Sequence, residues 1–125
     1  MNTPVSFDIA KLLKEKGFNE MCRQFWGYDS TEEENILIGE NSPTFINNRG
    51  NDDIAAPTIA EVVMWLYEKH GIWICVDKSE GFNWWKFNLR KLKDVGYEYN
   101  GFGSDYNSPT EAYEAAIEYT LNKLI

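Results

Sequence analysis

Apolar residues recur along this chain with two periods, and the periods divide it into helices and strands. Val5, Ile9, Leu12 and Leu13 fall at i, i+4, i+7 and i+8, the stripe of an amphipathic helix. Lys14-Glu15-Lys16-Gly17 predicts its end, a cationic last turn followed by a residue that accepts positive φ. A second helix is expected from Thr58, where Thr58 and Glu61 form a capping box after Pro57. Ile59, Val62, Val63, Leu66 and His70 then share one face, and Gly71 stops it. In a third, Ser108 caps, Pro109 takes the first helical position and Glu111 completes the box. Its inner stripe is Tyr113, Ala116, Ile117, Thr120, Leu121 and Leu124.

Between these helices the period drops to two. Ile72, Ile74 and Val76 alternate with Trp73, Cys75 and Asp77, and Trp85, Phe87 and Leu89 alternate with Trp84, Lys86, Asn88 and Arg90. Lys78 to Asn83 contains Gly81, so the two runs predict an antiparallel hairpin. An earlier strand pair is expected near Met21 to Tyr28 and Asn35 to Ile38, with Asp29 to Glu34 as its acidic turn. Tyr97 and Tyr99 suggest one more short strand, while Asn41 to Asp53 and Gly101-Phe102-Gly103-Ser104 read as loop. The expected order is α-β-β-α-β-β-α: an α+β fold, an antiparallel sheet with three helices, forming a single domain over 1–125.

Charge then narrows the function. Twelve Lys and Arg stand against twenty Asp and Glu, a net charge of −8. That balance opposes phosphate backbones and anionic membranes, so nucleic acid and membrane partners are not expected. No apolar run reaches the ~18–20 residues of a bilayer helix. Met1-Asn2-Thr3-Pro4 does not resemble the start of a signal peptide. Cys22 and Cys75 are too few for a disulfide framework and read as reduced thiols of a cytoplasmic protein.

Three stretches carry a resemblance: LLKEKGFNEMC at 12–22, APTIAEVVMWLYEKHGIWICV at 56–76 and SPTEAYEAAIEYTLNKLI at 108–125. In order and spacing they are similar to a set of small uncharacterised proteins of gut anaerobic bacteria and their prophages or mobile elements. Those proteins share a Pro-Thr-capped helix with a Trp-Leu pair, a Lys-His turn into a strand, and a terminal helix of Glu-Ala-x-x-Ala type. The resemblance implies one intracellular domain. It implies no activity, and no catalytic residue comes with it.

Candidate chemistry is sparse. His70 has no second His to share a metal, and its place in a last helical turn suits hydrogen bonding to the helix end. Neither cysteine lies in a Cys-x-x-Cys pair, and Cys75 on a strand reads as a packing residue. Gly101 to Ser104 lacks the phosphate-loop spacing, and Asn51-Asp52-Asp53 lacks the alternation and closing Glu of a calcium loop. No catalytic residue, metal or cofactor is therefore expected.

Aromatic residues supply the remaining signal. If Ile72, Ile74, Val76, Trp85, Phe87 and Leu89 face the helices, Trp73 and Trp84 share the other face. Two accounts stand. A second core layer built from Phe25, Trp26 and Tyr28 covers that face, or it is an exposed patch for a protein partner or a second copy. The basic run Lys86, Arg90, Lys91 and Lys93 beside the tryptophans invites single-stranded nucleic acid, but strand edges use Lys against aggregation too. The expected function is a non-enzymatic accessory protein, phage- or mobile-element-associated, acting by protein–protein contact. The alternative is a small-ligand or enzyme pocket. The binding residues expected of an aromatic patch are Trp73, Trp84, Tyr28, Tyr97 and Tyr99; a pocket would be lined by Tyr28, Trp84, Tyr97, Tyr99 and the 29–34 carboxylates.

Overall fold

The computed structural model describes residues 3–39, 54–93 and 96–125, and the side chains of Tyr97, Tyr99 and Asn100 are outside that description. The expected loop at 41–53, with Asn51 to Asp53, lies outside the described residues. The fold is α+β, as the alternation of periods implies, with three helices and two antiparallel three-stranded sheets. The chain divides into two compact units, Pro4–Thr58 and Ile59–Ile125 with Met1–Thr3.

In the first unit, α1 (Phe7–Glu15) begins where the Ser6 hydroxyl accepts from the Ile9 N–H at 3.3 Å. It buries Ile9, Ala10 and Leu13. Strands β1 (Phe25–Asp29), β2 (Glu34–Ile38) and β3 (Ile54–Ala55) form a sheet in the order β2-β1-β3. The β1–β2 turn is set by Asp29, whose Oδ1 accepts from the Thr31 N–H at 2.9 Å, a local bond that favours chain reversal. The N-terminal segment is tied in by backbone: Val5 donates to the Pro57 carbonyl and Ala56 to that of Gln24, both at 2.9 Å. The Trp26 indole donates to the Val5 carbonyl at 3.1 Å and receives the Phe7 ring edge-on. Trp26 thereby satisfies its one donor while burying most of its ring.

The second unit runs α2 (Ile59–His70), β4 (Ile72–Lys78), β5 (Trp85–Leu92), β6 (Tyr97–Tyr106) and α3 (Pro109–Lys123), with strand order β4-β5-β6. Gly71 makes the α2–β4 turn at φ +66°, and its carbonyl accepts from the Leu92 N–H at 2.8 Å, locking the far end of β5 to that turn. The expected cap of α3 is present: the Ser108 hydroxyl accepts from the Glu111 N–H at 3.1 Å, and the Glu111 carboxylate accepts from the Asn107 N–H at 2.9 Å. α3 buries Ala112, Ala116, Ile117, Thr120 and Leu121. Ala112 is buried, whereas Tyr113, expected on the inner stripe, is only half-buried. Thr120 is buried without penalty, donating to the Ala116 carbonyl at 2.8 Å.

The largest departure from the sequence reading is β6. The stretch Gly101-Phe102-Gly103-Ser104, expected as a loop, lies inside a ten-residue strand. Its glycines answer to packing. A Cβ on Gly101 would stand 2.8 Å from Tyr119 Cε1, and one on Gly103 only 2.3 Å from Phe87 Cε1. Glycine in a strand often marks such a close approach. α3 therefore lies on the face that carries Phe87 and Leu89, with Ile74 and Val76 opposite them in register.

Candidate functional site

The other face of the β4-β5-β6 sheet follows from the register. Trp73 stands opposite Arg90, Cys75 opposite Asn88, Asp77 opposite Lys86, and Asn88 opposite Phe102. Cross-strand partners point to the same side, so Trp73, Cys75, Asn88 and Phe102 share the face turned from α3. Trp84 precedes β5, and its carbonyl accepts from the Ser79 N–H at 2.9 Å, extending the ladder by one pair. Alternation puts Trp84 on the side of Lys86 and Asn88. The two tryptophans therefore share a face at opposite ends of the hairpin, about 20 Å apart at the strand rise per residue.

Each anchors a local aromatic pair. Trp73 is half-buried and receives the Tyr67 ring edge-on at 5.6 Å between centroids. Trp84, also half-buried, stacks on Phe82 at 5.9 Å with planes 24° apart. Phe82 is 62% exposed and Phe102 is 61% exposed, large apolar surfaces for side chains outside any core. Neither was singled out from the sequence. Phe102 was hidden by its flanking glycines, and plain alternation from Tyr97 would put it on the wrong face, because the register shift between Leu89 and Arg90 reverses the parity.

The remaining expected site residues separate. Tyr28 is 65% exposed on β1 in the other unit. Tyr97 and Tyr99 occupy β6 opposite Leu92 and Arg90, which puts Tyr99 in the cross-strand row that begins at Trp73. Of the acidic turn, Asp29 is engaged with backbone N–H groups of Thr31 and Glu32. A shallow cleft of about 340 Å³ lies elsewhere, lined by Tyr106, Ala115, Glu118, Tyr119, Asn122 and Lys123.

Local partners account for several chemically suggestive side chains. The His70 ring packs edge-on against the buried Trp65 at 5.0 Å, a packing role at the end of α2. Cys22 is buried and Cys75 half-buried, both as free thiols. Burial, then its electrostatic coupling to Cys75 and Asp77, pushes the Tyr113 hydroxyl above its ordinary pKa. In the basic run, Lys86 stands opposite Asp77, Lys91 opposite Glu98, and Lys93 reaches Glu98 at 3.0 Å. These carboxylates offset much of the run's attraction for phosphate. Among the described residues no group of three or more His, Cys, Asp or Glu gathers to hold a metal, and no helix is long and apolar enough to cross a membrane.

Comparison with family models, curated proteins and solved structures gives no match to this chain.

Proposed function

We propose that this is a non-enzymatic accessory protein that works inside the cell by binding another protein through the aromatic face of the β4-β5-β6 sheet. The observation that carries the reading is the surplus of exposed aromatic surface. Phe82 and Phe102 stand more than 60% exposed, Phe82 stacked on the half-buried Trp84 and Phe102 on the sheet face that also carries the half-buried Trp73. Aromatic side chains supply large contact area for little ordering entropy and dominate the energetics of protein interfaces. The net charge of −8 favours a partner with a basic surface, by steering its approach. The resemblance to small proteins of prophages and mobile elements suggests the setting. A small-ligand reading is supported by the cleft where Tyr106, Tyr119 and Glu118 converge and by a second one beside Phe82, lined by Lys78, Glu80 and Asn83.

The test is capture by the tagged protein from host lysate, with nuclease and without, alongside Phe82→Ala and Phe102→Ala. Both positions are largely solvent-exposed, so the fold, followed by circular dichroism, should survive. The expected result is a nuclease-resistant protein partner whose recovery falls about tenfold or more in each variant, the loss typical of an interface anchor. Recovery unchanged by both substitutions overturns the reading, as does a partner released by nuclease.

A further inference from the structure

The cleft beside α3 is lined by two opposite charges and two aromatic rings, all outside the sheet face proposed for the partner. On α3, Ala115, Glu118, Tyr119, Asn122 and Lys123 fall at i, i+3, i+4, i+7 and i+8, so they share one flank of the helix. Tyr106 closes the cleft from the end of β6. Plain alternation from Gly103 would turn Tyr106 to the opposite side of the sheet. Between the pairs Trp85–Tyr106 and Phe87–Gly103, however, β6 advances three residues against two on β5, and Asp105 takes φ +72° within that bulge. Such bulges re-aim a side chain, and a non-glycine residue at positive φ is held there by its surroundings. Two tyrosine rings thereby flank one buried ring: Tyr106 stacks on Phe87 at 5.9 Å, and Tyr119 tilts against it at 6.4 Å. Glu118 and Lys123 are both exposed and form no ion pair among the described residues.

We propose that this cleft binds a small zwitterion of the ω-amino acid class, its ammonium group on Glu118 and the tyrosine rings, its carboxylate on Lys123 and Asn122. Glu118 and Lys123 are separated by about 7.5 Å along the helix axis at the α-helical rise per residue. An extended 6-aminohexanoate holds its two charges a comparable distance apart. The tyrosine faces attract the ammonium ion through their quadrupoles and pack the methylene chain. The Asn122 amide lies one turn beyond Glu118, on the side of Lys123, and adds a donor for the carboxylate. A volume of about 340 Å³ suits one small ligand. The inference does not rest on the partner reading, since Phe82 and Phe102 contribute nothing to this lining.

Titration of the full-length protein with 6-aminohexanoate, followed by amide NMR shifts, tests the site, with hexylamine and hexanoate as single-charge controls. Saturable shifts are expected along α3 and the end of β6, and equally in the Phe82→Ala variant. Glu118→Lys and Lys123→Glu each oppose like charges and are expected to weaken binding about tenfold or more. Making both changes together keeps the net charge at −8 and lets the ligand bind turned end for end. The double variant should therefore recover the affinity to within about threefold. Both positions are exposed, so circular dichroism should show the fold intact. Where a reversal disturbs the fold, Glu118→Gln and Lys123→Gln replace it, each with an expected loss of about threefold to fivefold. Absence of a saturable shift up to the solubility of 6-aminohexanoate overturns the proposal. So does a single-charge control that binds as tightly, a double variant no stronger than the single reversals, or neutral variants that bind like the unaltered protein.

Discussion

The two units of this chain are built from the same kinds of element but fill their interiors differently. In Ile59–Ile125 the fully buried side chains come from every layer: Val62 and Leu66 from α2, Ile72 and Ile74 from β4, Phe87 and Leu89 from β5, Ile117 and Leu121 from α3. In Pro4–Thr58 they come mainly from α1, the segments flanking it and β3, as Val5, Ile9, Leu13, Phe18 and Ala55. The β1–β2 hairpin buries Gly27, and β2 buries nothing. Strand length follows the same division, seven to ten residues in one sheet and two to five in the other. A strand packed beneath a helix gains from every second residue, whereas an exposed edge is held mainly by its ladder. Buried apolar side chains are accordingly concentrated in the sheet of Ile59–Ile125, while β2 keeps its side chains largely exposed.

Leu89→Ala and Leu37→Ala measure that difference most directly. Leu89 is fully buried between α3 and the sheet, and its truncation leaves a cavity as well as losing transfer free energy, about 3 kcal/mol in all. Leu37 is 37% exposed at the edge, so the same truncation should cost less than about 1 kcal/mol. Urea unfolding of the two variants checks both values, and similar losses would break the contrast between the units.

A smaller effect is expected at Gly103. Its alanine variant must push aside Phe87, which is itself only 2% exposed and stacked on Tyr106 at 5.9 Å. Overpacking of this kind costs about 1–3 kcal/mol. The near-ultraviolet circular dichroism of the aromatic cluster should change along with the melting temperature. A melting temperature equal to that of the unaltered protein would mean that β6 relaxes freely, and that the glycine is not required by packing.

Gly103 also marks where the sequence stops being readable. Helices were legible because their signals are local: the Ser108 cap, Pro109 and Glu111 lie within four residues, and α2 runs from Ile59 to His70 as its stripe implies. The β4–β5 hairpin was legible for the same reason, alternation on both sides of one short connection. The Gly-Phe-Gly stretch was not, because the reason for its glycines is a ring from β5 and another from α3, neither visible from neighbouring residues. Parity alone showed that Trp73 and Trp84 share a face. It could not show that they stand at opposite ends of a ladder, since that depends on register. Likewise Trp65 reads as one more apolar residue in a helix, until its ring is found buried against His70.

The finest test of tight packing in the second unit is a single carboxylate on α3. Glu114 is half-buried, and its pKa is raised above the ordinary carboxylate value, chiefly by desolvation and then by Glu111 and Glu118 on adjacent turns. A raised folded-state pKa means that the charged form is the less favourable one in the folded protein. This group's contribution to stability is therefore full below the ordinary carboxylate pKa and declines as pH rises through the raised value. Glu114→Gln removes the charge without changing shape. The variant is expected to gain up to about 0.5 kcal/mol at neutral pH, the scale of relieving like charges one helical turn apart. The gain should fade as the pH drops through the carboxylate range, where the unaltered glutamate takes up a proton and becomes equally neutral. Thermal melts of both proteins from neutral to acid pH measure the difference curve. A gain that persists at acid pH would assign the effect to glutamine's packing rather than to a charge held partly out of water, and would weaken the case that α3 seals its side of the sheet.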